Sequence, residues 1–102
     1  SFSCGAKIFR TEQVAVAQGQ LSLMTEGQLS LTYLESPDEL VSGDLVVTSG
    51  LGGYYPVGLT IGTVEELRTD ADGLTQYAVV TPKAAIGSLT QVFLITDFDV
   101  VE

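Results

Sequence analysis

The chain has 102 residues, which is the length of one ordinary domain, and 45% of them are hydrophobic. Its formal net charge is −9 at pH 7, and four Lys and Arg residues are too few to support binding to nucleic-acid phosphates. The sequence has no His and one Cys, so the chain alone can build neither a His-dependent catalytic triad nor a His- or Cys-based metal site. We therefore expect a folded domain that is not an enzyme, has no cofactor and binds no nucleic acid.

The acidic residues are concentrated in the second part of the chain. Residues 1–34 carry no net charge, so the whole −9 belongs to residues 35–102. Either a solvated surface or a face for a basic partner would explain this. The chain begins at Ser1 and has neither an apolar run of about 20 residues nor a signal segment. We expect a soluble piece of a longer protein.

Val, Ile, Thr and Gly are abundant, and apolar residues recur at every second position, which is typical of strands with one buried face. Residues 20–24 and 28–34 alternate most clearly, and Thr25-Glu26-Gly27 between them predicts a hairpin turn. Only Pro82 to Leu89 could hold a helical turn. The predicted strands are, in chain order, Ser3 to Phe9, Gln13 to Ala17, Gln20 to Met24, Gln28 to Leu34, Asp44 to Thr48, Leu59 to Leu67, Thr75 to Thr81 and Gln91 to Thr96.

Short strands without intervening helices exclude βαβ units and indicate an antiparallel sheet. At this length a barrel is favoured, because closure removes exposed strand edges. We predict an all-β fold, a small antiparallel β-barrel of about six to seven strands. It would be a single domain over residues 1–102, with residues 1–12 as a strand that leads into it.

The segment Gly43-Asp-Leu-Val-Val-Thr-Ser-Gly-Leu-Gly-Gly-Tyr-Tyr-Pro-Val-Gly-Leu59 is the most distinctive of the sequence. It fails as a phosphate-binding loop because no helix or Gly-Lys-Ser/Thr follows the glycines. It fails as a nucleophile elbow because Ser49 lacks the G-x-S-x-G context and a His base. A tight, ordered loop fits better. The structural residues of that loop would be Gly50, Gly52, Gly53 and Gly58, and the exposed partner contacts would be Tyr54, Tyr55 and Pro56.

The same segment, extended to Val64, resembles the "GD.VVTSG.GG.FP.GL.IG.V" stretch in the extracytoplasmic β region of the rod shape-determining MreC family. The similarity continues through Tyr77-Ala-Val-Val-Thr-Pro82 and Leu89-Thr-Gln-Val-Phe-Leu-Ile95. The two tyrosines depart from the commoner phenylalanine-type position of the family and keep its aromatic character.

The resemblance implies the C-terminal extracytoplasmic barrel of a non-catalytic scaffold in the bacterial cell-elongation complex. Its implied partners are MreC itself, MreD, and the elongation transpeptidase with its glycosyltransferase, with contact to the membrane only through a missing N-terminal anchor. The location would be the extracytoplasmic face of the cytoplasmic membrane. Two alternatives remain open: a fragment of a hydrolytic enzyme, and a small ligand-binding β-barrel.

Four smaller features have plainer interpretations. Asp70-Ala71-Asp72-Gly73 resembles the start of a calcium loop but lacks its later ligands, which favours a turn. Glu65 and Glu66 should lie on opposite faces of a strand and make a poor acid–base pair. Cys4 shares the parity of apolar neighbours and should be packed inside. Asp97 and Asp99 would belong to a charged edge strand or to a tail that pairs with a neighbouring chain.

Overall fold

A computed structural model describes residues 3–51 and 56–84 of the chain. Within these residues six strands pair antiparallel in the order β1–β2–β3–β6–β5–β4, and β4 pairs back with β1 to close a barrel. The predicted all-β barrel is therefore confirmed. The elements are β1 (Ser3–Ile8), β2 (Val14–Gln18), α1 (Leu21–Met24), β3 (Leu29–Thr32), a 3₁₀ turn (Pro37–Glu39), β4 (Leu45–Thr48), β5 (Thr60–Thr69) and β6 (Gln76–Pro82).

The interior of the barrel is filled by the inward half of each alternating strand. On β1, Cys4, Ala6 and Ile8 are buried while the residues between them are partly exposed. β1 and β2 contribute mostly small side chains to this core (Cys4, Ala6, Ala15 and Ala17), whereas β3 contributes the larger Leu29 and Leu31. The main buried cluster comprises Cys4, Ala6, Ile8, Ala15, Ala17, Leu29, Leu31, Val46, Ile61, Val64, Ala78 and Val80.

The strand and hairpin predicted for residues 20–34 are wrong in their first half. Residues 21–24 form the single-turn helix α1, in which the backbone N–H groups of Leu23 and Met24 donate to the carbonyl of Gln20 at 3.0 and 2.8 Å. The reason is that β3 already has a neighbour on each side, β2 and β6, so residues 20–24 have no free edge to join. Leu23 is buried and Leu21 is 80% exposed. The two leucines that alternate in the sequence therefore do not share a buried face, as they would in a strand.

A β-bulge changes the expected geometry of Glu65 and Glu66. The register of β5 against β6 shifts between Val64 and Glu66, so β5 has one extra residue at this point that β6 does not match. Both glutamates are exposed instead of facing opposite sides of the sheet. Glu65 Oε2 accepts hydrogen bonds from the side chains of Gln28 and Thr81, and Glu66 pairs with Arg68.

The predicted turn at residues 70–73 is present at the tip of the β5–β6 hairpin. Asp72 Oδ1 accepts the backbone N–H groups of Leu74 and Thr75 at 2.8 and 2.9 Å, and Asp72 Oδ2 accepts the Thr75 hydroxyl at 2.7 Å. These bonds hold the pKa of the Asp72 carboxyl below its usual value. The acidic pair therefore shapes a turn. The predicted strand at Gln91 to Thr96 and the pair Asp97 and Asp99 lie outside the described residues. Of the helical turn predicted for Pro82 to Leu89, Pro82 ends β6, Lys83 and Ala84 form a bend, and residues 85–89 lie outside the described residues.

Candidate protein-interaction surface

The loop between β4 and β5 is clamped at its base by Thr48, the last residue of β4. The Thr48 backbone donates to the carbonyl of Leu59 at 2.8 Å and accepts from the N–H of Gly58 at 2.9 Å. Its buried hydroxyl accepts from the N–H of Leu59 at 2.9 Å and donates to the carbonyl of Pro56. One threonine thereby joins both ends of the loop, which fixes the direction in which the loop leaves the barrel.

Two of the glycines singled out in this loop have a backbone that other residues rarely adopt. Gly50 has φ of +79° and Gly58 has φ of +89°, both in the left-handed region. At Gly50 a Cβ atom would also collide with Cγ2 of Val57. Pro56 is exposed, whereas Gly52, Gly53, Tyr54 and Tyr55 lie outside the described residues.

An apolar depression, here called the outer groove, lies beside this loop on the outside of the barrel. It is lined by Lys7 of β1, Phe9 and Arg10 of the turn after β1, Leu45 and Val47 of β4, and Val57 of the loop. Phe9 is 65% exposed and Val57 is 63% exposed, which is unusual for large apolar side chains near one another on a small domain. Neither residue was selected from the sequence, because Phe9 reads as a strand end and Val57 as part of a turn.

The basic side chains at the groove already have acidic partners. Arg10 binds Asp44 with two parallel bonds, Nε to Oδ1 at 2.9 Å and Nη2 to Oδ2 at 3.0 Å, and Arg10 Nη2 also donates to the carbonyl of Glu39 at 2.8 Å. Lys7 Nζ lies 3.4 Å from Oε1 of the exposed Glu12. The rim of the groove therefore has charge of both signs around an apolar floor, as in a protein–protein interface.

Asp44 is a buried carboxylate that no pattern in the sequence singles out. Its carboxyl accepts the Arg10 bonds and the backbone N–H of Val41 at 2.9 Å, which together hold its pKa below the usual value despite burial. The groups are 34 residues apart, so only closure of the barrel brings them together. This pair fastens the β3–β4 connection to the turn after β1.

The candidate nucleophiles have structural surroundings. Ser49 Oγ accepts the backbone N–H of Leu51 at 3.2 Å, and the Ser49 backbone donates to the carbonyl of Gly5 at 3.1 Å. Cys4 is 5% exposed in the barrel interior, as predicted, and burial raises the pKa of its thiol to about 11. A thiol with such a pKa is a poor nucleophile at neutral pH, because the thiolate is the reactive form.

The described part of the chain has neither a cluster of metal-ligating side chains nor a helix that could span a membrane. Residues 3–51 and 56–84 contain no group of three or more His, Cys, Asp or Glu side chains arranged to hold a metal ion. Among the same residues, no helix is long and apolar enough to cross a bilayer.

The fold and this surface define a small closed antiparallel barrel domain with an apolar face on its outside. Residues 1–96 match the family model described as rod shape-determining protein MreC, barrel core. The chain therefore belongs to the MreC family, as the resemblance of its Gly-rich segment predicts.

Individual relatives agree with this assignment. The cell shape-determining protein MreC of Bacillus subtilis (strain 168) is 41% identical over 70 residues, which are 67% of this chain and 24% of that protein. A solved MreC structure from Listeria monocytogenes has a TM-score of 0.68 at 36% identity, covering 81% of this chain and 39% of the other. The chain thus spans about a quarter of the B. subtilis relative that it matches.

A more distant structure shares the fold. It is described as a complex between penicillin-binding protein (PBP2) and MreC from Helicobacter pylori, with a TM-score of 0.62 at 23% identity. The match covers 82% of this chain and 48% of that one.

Proposed function

We propose that this chain is a non-catalytic interaction domain of the bacterial cell-elongation complex, which acts through protein–protein contacts and self-association. The observation that carries the proposal is the outer groove, an apolar face with Phe9 and Val57 largely exposed, in a chain that belongs to the MreC family. Exposed apolar side chains grouped on one face mark interaction sites, and an interface has an apolar centre with a polar rim.

The binding surface in this proposal consists of the outer groove together with the loop between β4 and β5. The Thr48 clamp supports it, because a loop with a fixed base loses less conformational entropy on binding than a free one. Tyr54, Tyr55 and Pro56 belong to that loop and would extend the apolar surface of the groove. The glycines at 50, 52, 53 and 58 would shape the loop and make no contacts of their own.

The proposed partners are a second MreC chain, MreD, and the elongation transpeptidase with its glycosyltransferase. The H. pylori complex supports the transpeptidase class, since an MreC with the same fold assembles there with a penicillin-binding protein. We further propose residues 1–102 as one domain, the C-terminal barrel of a longer protein. That protein would be held by an N-terminal anchor at the extracytoplasmic face of the cytoplasmic membrane.

A titration of the 102-residue chain with the purified extracytoplasmic part of the elongation transpeptidase from the same bacterium tests the proposal. We expect Phe9→Ala with Val57→Ala, and separately Tyr54→Ala with Tyr55→Ala, to weaken binding by about tenfold or more, as central apolar contacts do. Leu21→Ala is the matched control, because Leu21 is 80% exposed on α1, outside the proposed surface. Sedimentation of the same variants measures self-association.

Unchanged affinity and unchanged self-association in all folded variants would contradict the proposed surface. The hydrolytic alternative has its own test, since stoichiometric labelling of Ser49 by a serine-reactive phosphonate would support an enzyme. For the ligand-binding alternative, the barrel interior is filled by its own side chains, with Ile8, Leu29 and Leu31 fully buried. A ligand of this domain would therefore bind on the outside.

A further inference from the structure

A second concave site, here called the hairpin cleft, lies between the segment after β3 and the tip of the β5–β6 hairpin. It has a volume of about 570 Å³, which falls within the range of sites for small molecules or short polymer segments. Residues from three regions of the chain surround it: Gln18, Thr32, Tyr33, Asp70, Leu74 and Gln76. The outer groove has none of these residues, so the two sites are separate.

Tyr33 presents an aromatic ring at this cleft on an unusual backbone. The residue is 77% exposed and has φ of +58°, a conformation that β-branched and bulky side chains rarely adopt. Residues held in such regions cluster at binding sites, where the surrounding structure maintains them. Leu74, another lining residue, is 86% exposed and adds a second apolar surface.

Apart from Leu34 and Pro37, the remaining lining is polar and almost uncharged. Gln18 Oε1 accepts the hydroxyl of Thr32 at 3.1 Å, which fixes the orientation of that amide. Gln76 is exposed, so its amide offers two donors and an acceptor to a ligand. Asp70 is the single charged side chain among the lining residues, and no Lys or Arg is among them. This lining disfavours an anion and suits a ligand with many hydroxyl or amide groups.

We propose that the hairpin cleft binds an uncharged carbohydrate segment. A sugar ring combines an apolar C–H face, which can stack on the Tyr33 ring, with hydroxyl groups that both donate and accept hydrogen bonds. Gln18 and Gln76 would bind those hydroxyl or acetamido groups, and Asp70 would accept from a hydroxyl. The inference uses only the cleft and does not depend on the proposed protein contacts at the outer groove.

An NMR titration of the ¹⁵N-labelled 102-residue chain with tetra-N-acetylchitotetraose tests the proposal. We expect saturable shifts confined to the amides of Tyr33, Leu74, Gln76 and their neighbours. Tyr33→Ala should weaken binding about tenfold, whereas Tyr33→Phe should keep the wild-type affinity because the ring remains. Tyr77→Ala serves as the matched control, since it removes a tyrosine that does not line the cleft.

Three results would overturn the proposal. They are the absence of saturable shifts at the cleft, shifts that centre on Phe9 and Val57 instead, and unaltered affinity in folded Tyr33→Ala. A Gly-Ser-Gln peptide with an acetylated N-terminus and an amidated C-terminus is uncharged and provides the other ligand class. Cleft shifts with that peptide but not with the oligosaccharide would show that the cleft binds a polypeptide and not a carbohydrate. Tyr33→Gly keeps the test informative if Tyr33→Ala folds poorly, because glycine tolerates the positive φ while the ring is still lost.

Discussion

Arg10 and Asp44 form a bidentate ion pair, with Nε to Oδ1 at 2.9 Å and Nη2 to Oδ2 at 3.0 Å. The pair joins the turn after β1 to the residue before β4. The carboxylate side chain is 6% exposed and the Arg10 side chain is 51% exposed. Arg10 also lines the outer groove, so the pair supports one wall of the proposed binding surface. Its loss should affect both the stability of the barrel and the shape of that surface.

Replacement of Asp44 by Asn should lower the free energy of unfolding at neutral pH. The folded-state pKa of Asp44 is depressed, so its contribution is present above the unfolded pKa of about 3.9 and disappears as the pH falls through the lower folded value. The stability difference between wild type and Asp44→Asn should therefore shrink below about pH 4. Urea denaturation at several pH values measures this difference. An equal difference at pH 3 and pH 7 would contradict the ion-pair account, and Asp38→Asn, at an exposed acidic residue, is the control.

Gly50→Ala should destabilise the chain more than Gly58→Ala. Both residues have positive φ, and an L-residue there costs about 1–2 kcal/mol. Only at Gly50 would the new methyl group also meet Val57, because nothing lies within 4 Å of a Cβ at Gly58. Thermal or urea unfolding of the two variants gives the comparison. Equal losses would mean that the contact with Val57 relaxes without cost.

Thr48→Val should loosen the base of the loop while leaving β4 in place. Valine has a similar shape but lacks the hydroxyl that links Leu59 N–H and the carbonyl of Pro56. The expected loss is about 1–3 kcal/mol, since a buried group loses its partner. Hydrogen exchange at the Leu59 amide should accelerate in the variant. Wild-type exchange there would show that the hydroxyl does not hold the loop.

The thiol of Cys4 should react slowly in the native chain. Its pKa of about 11 leaves roughly one thiolate in a thousand at pH 8, and burial blocks access to that small fraction. A disulfide reagent should modify Cys4 quickly in denaturing urea and at least about a hundredfold more slowly in buffer. Rapid modification in buffer would indicate that β1 opens frequently.

Most strands could be predicted because alternation and β-branched residues act locally. β1, β2, β4, β5 and β6 fall within one or two residues of the predicted segments. Helix α1 could not be predicted, since two leucines two positions apart fit either a short strand or one helical turn, and only the occupied edges of β3 decide between them. The bulge at Glu65 depends on the register between β5 and β6 in the same way.

The candidate surface was predictable only in part. The Gly-rich loop is visible in the sequence because glycine and proline restrict the backbone locally. The outer groove requires the fold to bring Phe9 and Val57 to one face of the barrel, and the Arg10–Asp44 pair requires closure between β1 and β4. No local pattern marks residues that become neighbours only through the fold. The positive φ of Tyr33 likewise could not be predicted, because no local sequence pattern marks it.

Hydrogen exchange of the chain with and without the elongation transpeptidase tests the central claim most directly, because it locates the contact without a substitution. The account predicts slower exchange of the amides around Phe9 and Arg10 and of those from Val57 to Thr60. Exchange at Leu21 to Glu26 should not change. Protection confined to α1 or to the β5–β6 hairpin, with the groove amides unaffected, would contradict it.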